Sequence, residues 1–128
     1  MKKVIWITGG GTGIGKAVAI EFANQGWNVA ISGRRENILK ELEDNYPNIK
    51  AYPLDVNDKE KCFDITKAIK KDFGDLDICF FSTGTWDPKK EKDIDVEQME
   101  EVFRVNFFGT VNSIKAVEKY FKDKKSGI

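Results

Sequence analysis

The sequence predicts a doubly wound α/β protein in which a parallel sheet lies between two layers of helices, a three-layer αβα arrangement. Short runs of β-branched and aromatic residues alternate with longer segments whose apolar residues recur at helical spacing. Glycines follow the first run directly, as where a strand enters a helix through a tight turn. The resulting order is βαβαβαβ and then two helices, and right-handed crossovers make such strands parallel.

Four strands are predicted from the apolar runs. Strands of a parallel sheet read as continuous apolar segments because helices cover both faces of the sheet. The four segments are KVIWI at 3–7, WNVAIS at 27–32, IKAYPL at 49–54 and LDICFFS at 76–82.

Helices are predicted between the strands and after the last one. The first begins near Ile14 and ends at Gly26, which has the character of a C-cap. The second is the charged segment RENILKELEDNY at 35–46. The sequence NDKE has the form of a capping box, with Asn57 as the cap of the third helix. From Val96 the chain is predicted to be helical nearly to Lys122, with a break near 106–109.

The composition excludes several classes of function. The chain has 128 residues, enough for one domain, and its 21 basic residues balance 21 acidic ones, which argues against a nucleic-acid partner. It has no histidine, and its two cysteines lack metal-ligand spacing, so we expect no metal site and free thiols. No apolar run approaches the roughly 20 residues of a membrane span or forms a signal peptide. We therefore expect a cytoplasmic protein with no membrane partner.

The sequence TGGGTGIG lies between the first strand and the first helix, where a glycine motif can bind a phosphate. Glycines allow a sharp turn and bring bare backbone near a ligand, and the helix N-terminus presents free N–H groups to a pyrophosphate. The alternative is a tight turn without a ligand. The predicted contacts of this loop are Gly9, Gly11, Thr12, Gly13 and Ile14.

The residues of this loop resemble the glycine motif of a known protein family. The pattern Thr-Gly-x-x-x-Gly-Ile-Gly after an N-terminal strand resembles that of the short-chain dehydrogenase/reductase family, and the resemblance covers essentially all 128 residues. It implies a Rossmann-type sheet with strand order 3-2-1-4. It also implies that residues 1–128 form a single, incomplete NAD(P)-binding domain, the N-terminal half of the family's fold.

The end of the second strand predicts the cofactor. In dinucleotide-binding folds an acid at this point binds the ribose 2′-hydroxyl of NAD, whereas an arginine suits the 2′-phosphate of NADP. This chain has Gly33 at the acidic position, followed by Arg34 and Arg35. We predict NADP(H), with Arg34 as the main contact and Arg35 as a second. The alternative is that both arginines only begin a surface helix.

Two further segments are assigned by the resemblance. Asp55 and Val56, after the third strand, would contact the adenine, although Asp55 could instead begin a helix. After the fourth strand the family usually has Asn-Asn-Ala-Gly, whereas this chain has FSTG at 81–84. Phe81 must therefore pack where an asparagine would bond. The remaining residues of this segment, Ser82, Thr83 and Gly84, are predicted to contact the cofactor.

Asn106 is the candidate catalytic residue of this chain. It fits the family's Asn-x-x-Gly pattern, in which the main chain of the asparagine helps to hold a water of the proton relay; the alternative is a helix junction. Tyr120 and Lys124 have the family's Tyr-x-x-x-Lys spacing, but Tyr120 should lie roughly 20 Å from Asn106. We interpret these two residues as a solvated helix end, and Tyr46 and Lys50 as a chance match.

These observations lead to three hypotheses of function. The first is an NADP(H)-dependent oxidoreductase that transfers hydride between the nicotinamide and a carbonyl or alcohol substrate; this chain lacks the family's Ser/Tyr/Lys centre and should be inactive alone. The second is a non-catalytic NADP-binding sensor or partner subunit, and the third is an α/β domain without a ligand. In the first two readings we expect a homo-oligomer joined through the fourth strand or the last helix, since both would expose backbone or apolar surface.

Overall fold

The computed structural model describes residues 2–85 and 94–128. Four strands form one sheet, namely β1 (Val4–Thr8), β2 (Asn28–Ser32), β3 (Ile49–Ala51) and β4 (Ile78–Phe81). All strand pairs are parallel, and the order is β3-β2-β1-β4. The predicted fold class and strand order are confirmed.

Within these two ranges, five α-helices connect and follow the strands. They are α1 (Gly13–Asn24), α2 (Glu36–Asn45), α3 (Lys59–Phe73), α4 (Val96–Phe103) and α5 (Thr110–Lys124). Together with the sheet they form the three layers, because two helices pack on each face.

The central strand β1 divides the core in two because its side chains alternate between the faces of the sheet. Val4 and Trp6 belong to a cluster that α3 and α5 cover, whereas Ile5 and Ile7 belong to a cluster that α1 and α2 cover. Every residue of β1 is buried, which explains the unbroken apolar run in the sequence.

The predicted break between the last two helices is a π-helical segment, Arg104–Gly109. The flanking residues Phe103 and Thr110 keep right-handed helical backbone angles, so α4 and α5 are joined without an interruption. Single turns of π-helix inside α-helices often mark functional sites. The segment contains Asn106.

The predicted cap of α3 was wrong by one residue. The N-cap is Asp58, whose carboxylate accepts a hydrogen bond from the backbone N–H of Lys61 at 3.0 Å. Asn57 instead donates its backbone N–H to Oδ1 of Asp55 at 3.0 Å. The carboxylate of Asp55 therefore shapes the turn into α3, where a free side chain was expected.

The interpretation of Tyr120 and Lys124 as a solvated helix end was also wrong. The Tyr120 hydroxyl accepts the backbone N–H of Leu76 at 2.9 Å, and the Lys124 ammonium donates to the carbonyl of Leu76 at 2.8 Å. Lys124 also reaches Oδ1 of Asp77 at 3.2 Å. Both side chains fasten the end of α5 to the turn that enters β4.

The last residue lies along the outer edge of β4. Ile128 donates its N–H to the carbonyl of Asp77 at 3.0 Å, and its carbonyl accepts the N–H of Cys79 at 2.7 Å. This is the hydrogen-bond pattern of a parallel ladder. The backbone of Ile128 therefore occupies the position of a strand that pairs with the outer edge of β4.

Candidate functional site

A cavity of about 650 Å³ opens at the carboxyl edge of the sheet, where ligands bind in open α/β folds. Its volume is within the range of about 300–1,000 Å³ that is usual for small-molecule sites. All thirteen predicted cofactor contacts line it: Gly9, Gly11, Thr12, Gly13, Ile14, Gly33, Arg34, Arg35, Asp55, Val56, Ser82, Thr83 and Gly84. The structure thus brings together residues from four separate loops.

The glycine turn is anchored to the end of β2. The backbone N–H groups of Gly9 and Gly10 both donate to the carbonyl of Ser32, at 2.8 and 3.2 Å. Gly9 has φ +68, and a Cβ there would lie 2.7 Å from the carbonyl oxygen of Ser82. A side chain at this position would therefore meet both backbone strain and the segment that follows β4.

The N-terminus of α1 has no side-chain cap. Thr12 occupies the N-cap position without a side-chain hydrogen bond to the helix. The first N–H groups of any helix lack intrahelical partners, and together with the helix dipole they favour an anion. Gly13, with φ +54, turns the chain into the helix, and a Cβ there would meet no atom within 4 Å. This end of the helix is open toward the cavity.

The end of β2 contributes positive charge. Arg34 and Arg35 are exposed at the cavity wall, and neither guanidinium has an ion pair among residues 2–85 and 94–128. The preceding Gly33 has no side chain, and a Cβ there would only contact Leu39 at 3.7 Å. This corner suits a dianionic group better than a neutral hydroxyl.

The cavity wall after β3 contains Asp55 and Val56, and both residues already make hydrogen bonds within the protein. Val56 is buried, and its carbonyl accepts the side-chain amide of Asn112 from α5 at 2.9 Å. One carboxylate oxygen of Asp55 is engaged by Asn57. A flat ring could pack on the apolar part of this wall, to which Leu54 and Val105 also contribute.

The segment after β4 presents a buried hydroxyl. Thr83 Oγ1 is inaccessible to solvent and has no hydrogen-bond partner within the described part of the chain. A buried polar atom without a partner is costly, and a ligand in the adjoining cavity could supply one. The uncapped helix end and this hydroxyl both fit a polar, phosphate-bearing cofactor.

Asn106 lies behind this segment and is not among the residues that line the cavity. Its side chain makes two hydrogen bonds to Thr85, accepting the backbone N–H at 2.6 Å and donating to the carbonyl at 3.1 Å. Its own carbonyl accepts the hydroxyl of Thr110 at 3.1 Å. The side chain of Asn106, in the π-helical segment, therefore holds the backbone of Thr85, which follows β4.

Neither Tyr-x-x-x-Lys match reaches the cavity. Tyr120 bonds to the turn before β4, at the amino edge of the sheet. Burial, together with a hydrogen bond to the Asp75 carboxylate, raises the pKa of Tyr120 to about 12. A catalytic tyrosine needs the opposite shift. Lys50 pairs with Asp72 at 2.8 Å, also away from the site.

Four apolar residues that were not predicted as site residues also line the cavity: Ile38, Leu39, Leu54 and Val105. Ile38 and Leu39 lie in the predicted second helix, but helical periodicity does not show that a residue reaches this edge of the sheet. In the described ranges no group of acidic, cysteine or histidine side chains could hold a metal ion, and no helix there is long and apolar enough to cross a membrane.

Fold and site together define a dinucleotide-type α/β domain with a glycine turn at its switch point. Residues 3–128 match the family described as short chain dehydrogenase. The chain belongs to the short-chain dehydrogenase family.

Two curated relatives and one solved structure illustrate the similarity. The chain is 33% identical over 129 residues to 2,3-dihydro-2,3-dihydroxybenzoate dehydrogenase of Bacillus subtilis, covering 98% of this chain and 49% of the relative. It is 34% identical to an uncharacterised oxidoreductase of Staphylococcus epidermidis, covering 98% of this chain and 55% of that protein. A structure of ElxO with NADP bound superposes with a TM-score of 0.88 at 32% identity, covering 99% of this chain and 53% of that one. The chain therefore spans about half the length of the relatives it matches.

Proposed function

We propose that this chain is the cofactor-binding half of an NADP(H)-dependent oxidoreductase that transfers hydride between the nicotinamide and a carbonyl or alcohol. The observation that carries the proposal is the convergence on one cavity of the glycine turn, the uncapped helix end and two guanidinium groups without an ion pair in the described part of the chain. ElxO, a structural relative, has been solved with NADP and with NADPH. Its cofactor agrees with the charge at this corner.

Each wall of the cavity would hold a different part of the cofactor. The turn from Gly9 to Ile14 would bind the pyrophosphate through backbone N–H groups. Arg34 would bind the 2′-phosphate, with Arg35 as a second contact. The adenine would lie against Asp55 and Val56. The ribose on the nicotinamide side would lie near Ser82, Thr83 and Gly84.

When bound, NADPH supplies a hydride, and the protein must supply the proton and the substrate pocket. Among residues 2–85 and 94–128, the cavity lining holds no residue type suited to proton transfer near neutral pH, apart from the carboxylate of Asp55 at the adenine end. We therefore expect the 128-residue chain to bind NADPH without turning over a carbonyl substrate. Steady NADPH oxidation with a panel of aldehydes and ketones would contradict this expectation.

A second candidate function is NADP binding at the same cavity without hydride transfer. Tyr120 and Lys124 both form hydrogen bonds to Leu76, at the edge of the sheet opposite to the cavity. The alternative function is therefore a non-catalytic NADP-binding subunit. Titration with NADPH alone does not separate these two functions. The observation that separates them is whether joining the chain to the second half of a family member yields turnover.

The cofactor assignment is tested by calorimetric titration of the wild type and Arg34→Ala with NADPH and with NADH. Charge-assisted hydrogen bonds contribute about 1.5–3 kcal/mol, so we expect Arg34→Ala to bind NADPH about 10- to 100-fold more weakly. NADH affinity should change little. Lys119→Ala, which removes an exposed positive charge outside the cavity, is the control. Equal affinity of the wild type for the two cofactors would overturn the assignment.

Gly33→Asp tests the same cofactor assignment in the opposite direction, because it should shift the preference from NADPH toward NADH. The position has room for a Cβ, since only Leu39 lies within 4 Å of it. A carboxylate there would repel the 2′-phosphate and accept a hydrogen bond from a 2′-hydroxyl. We expect NADPH binding to weaken by about tenfold or more and NADH binding to strengthen. A parallel loss for both cofactors would mean that the substitution only distorts the site.

A further inference from the structure

The side-chain amide of Asn112, on α5, binds the cavity wall after β3 from behind. Its Nδ2 atom donates a hydrogen bond of 2.9 Å to the backbone carbonyl of Val56, which lies 56 positions earlier in the chain. Val56 is buried and lines the cavity, whereas Asn112 is half-buried and is not among the lining residues. The bond therefore connects the last helix to a wall of the cavity without entering the cavity itself.

The carbonyl of Val56 depends on this amide. Within residues 2–85 and 94–128, the only other group that reaches the carbonyl oxygen is the thiol of Cys62, at 3.9 Å. A thiol is a weak donor, so it cannot replace an amide. A buried carbonyl that loses its donor must turn toward water or stay unsatisfied at a cost. Loss of the Asn112 amide would therefore reorient the peptide that follows Val56, and the Val56 side chain would move with it.

Gly109, three residues before Asn112, allows the helix to approach Val56 closely. A Cβ on Gly109 would collide with Cγ2 of Val56, so the bare backbone of the glycine packs against that side chain. Residues three apart lie on the same face of a helix, which explains why both reach one partner. The helix thus holds Val56 at two points, its side chain and its carbonyl.

We propose that Asn112 is a positioning residue for the adenine end of the cofactor, which rests on the proposed function of NADPH binding at this cavity. Asn112 does not touch the cofactor in this proposal. It holds the backbone of Val56, and with it the adjacent Asp55, at the place where the adenine would lie. The effect is confined to the adenosine half, because the glycine turn belongs to a different loop.

Asn48 provides a matched control because it makes the same kind of hydrogen bond at the other edge of the sheet. Its side-chain amide donates to the carbonyls of Ala23 and Trp27 at 2.8 and 2.7 Å, and the residue is also half-buried. These groups precede β2 and β3, whereas the cavity lies where the strands end. Asn48→Leu should destabilise the protein at least as much as Asn112→Leu, since it removes two hydrogen bonds and not one.

Calorimetric titration with NADPH and with adenosine 2′,5′-bisphosphate, which carries only the adenine half of the cofactor, tests the proposal. We expect Asn112→Leu to bind both ligands about three- to tenfold more weakly and by the same factor, because one hydrogen bond behind the adenine wall is lost. Asn48→Leu should bind both like the wild type in spite of its lower melting temperature. An equal loss of affinity in Asn48→Leu, or a loss for NADPH alone in Asn112→Leu, would overturn the proposal.

Hydrogen–deuterium exchange of the ligand-free chain gives a second readout. Residues 54–58 should exchange about threefold faster or more in Asn112→Leu and at the wild-type rate in Asn48→Leu. Unchanged exchange of this segment in Asn112→Leu would contradict the proposal.

Gly109→Ala tests the other contact and serves if Asn112→Leu does not fold. Its added methyl group would displace Val56 from the side-chain side. We expect both ligands to bind about threefold more weakly or less tightly still. Wild-type affinity of Gly109→Ala for both ligands would show that the helix does not position this wall. A wild-type chain that binds neither ligand would overturn the proposed function itself, whereas a wild type that binds both beside an unaffected Asn112→Leu would overturn only the role of Asn112.

Discussion

The indole nitrogen of Trp6 donates a hydrogen bond of 2.9 Å to the hydroxyl oxygen of Ser32, and both residues are buried. Trp6 lies on the central strand, and Ser32 is the last residue of its neighbour. The carbonyl of the same serine holds the N–H groups of Gly9 and Gly10. On the other side, Trp6 contacts Phe81 edge to face at a ring distance of 6.1 Å. Phe81, Trp6 and Ser32 thus form a continuous set of contacts from β4 through β1 to the base of the glycine turn.

Ser32→Ala should destabilise the protein. The substitution leaves the buried indole N–H without a partner, which costs about 1–3 kcal/mol in the free energy of unfolding. Urea unfolding followed by tryptophan fluorescence measures this loss. A double-mutant cycle with Trp6→Phe should give a coupling energy of about 1 kcal/mol, because each single variant removes the same bond. Additive effects would show that the hydrogen bond contributes nothing of its own.

Gly15→Ala should strongly weaken NADPH binding. A Cβ at this position would collide with the carbonyl oxygen of Gly9, so the helix must move away from the glycine turn. We expect the affinity for NADPH to fall by about 100-fold or more. Gly26→Ala is the control, since Gly26 has φ +86 and lies outside the cavity. It should lower the melting temperature without changing NADPH affinity. If both variants bind NADPH equally well, the turn does not hold the phosphates.

Tyr120→Phe should affect stability and leave NADPH binding unchanged. It removes the acceptor of the Leu76 N–H, which contributes about 0.5–1.5 kcal/mol. Burial raises the pKa of Tyr120 to about 12, above the value of about 10 in the unfolded chain. The folded state therefore favours the neutral phenol. Its contribution is complete below pH 10 and is lost as the pH rises toward 12.

The measurement is the difference in unfolding free energy between the wild type and Tyr120→Phe as a function of pH. The difference should be constant from pH 7 to about 10 and should shrink above it. A difference that grows with alkaline pH would mean that the folded state favours the phenolate, as a catalytic tyrosine would. Loss of NADPH affinity in this variant would contradict the placement of Tyr120 outside the site.

The fold was predictable because its signals are local. Each strand is a buried apolar run, and the turn residues Gly9 and Gly13 need left-handed backbone angles that the sequence supplies with glycine. The family pattern then related these local elements to a strand order. The predicted contacts reached one cavity because they all follow the carboxyl ends of parallel strands, which meet at one edge of the sheet.

The errors arose where two nearby residues compete for one role, or where contacts are distant in sequence. Asn57 and Asp58 both suit a helix cap, and the local turn at Asp55 decides between them. Tyr120 and Leu76 are 44 positions apart, so no periodicity could predict their hydrogen bond. The bond between Trp6 and Ser32 was missed for the same reason. It depends on the register of β1 and β2, which the sequence alone does not fix.

Asn106 provides the last prediction, because its side chain and its main chain have separable roles. The side-chain amide binds both the backbone N–H and the backbone carbonyl of Thr85, next to the cavity-lining Gly84. Asn106→Asp keeps the acceptor but places a carboxylate against the Thr85 carbonyl, whereas Asn106→Ala removes both bonds. We expect each variant to weaken NADPH binding by about three- to tenfold, since each hydrogen bond contributes about 1 kcal/mol to the position of this segment. Calorimetric titration with NADPH measures the effect, and Asn45→Ala, on the exposed end of α2, is the control. If Asn106→Ala binds NADPH like the wild type, the segment keeps its position without the side chain, and any role of Asn106 must then rest on its backbone carbonyl, which Thr110 already engages.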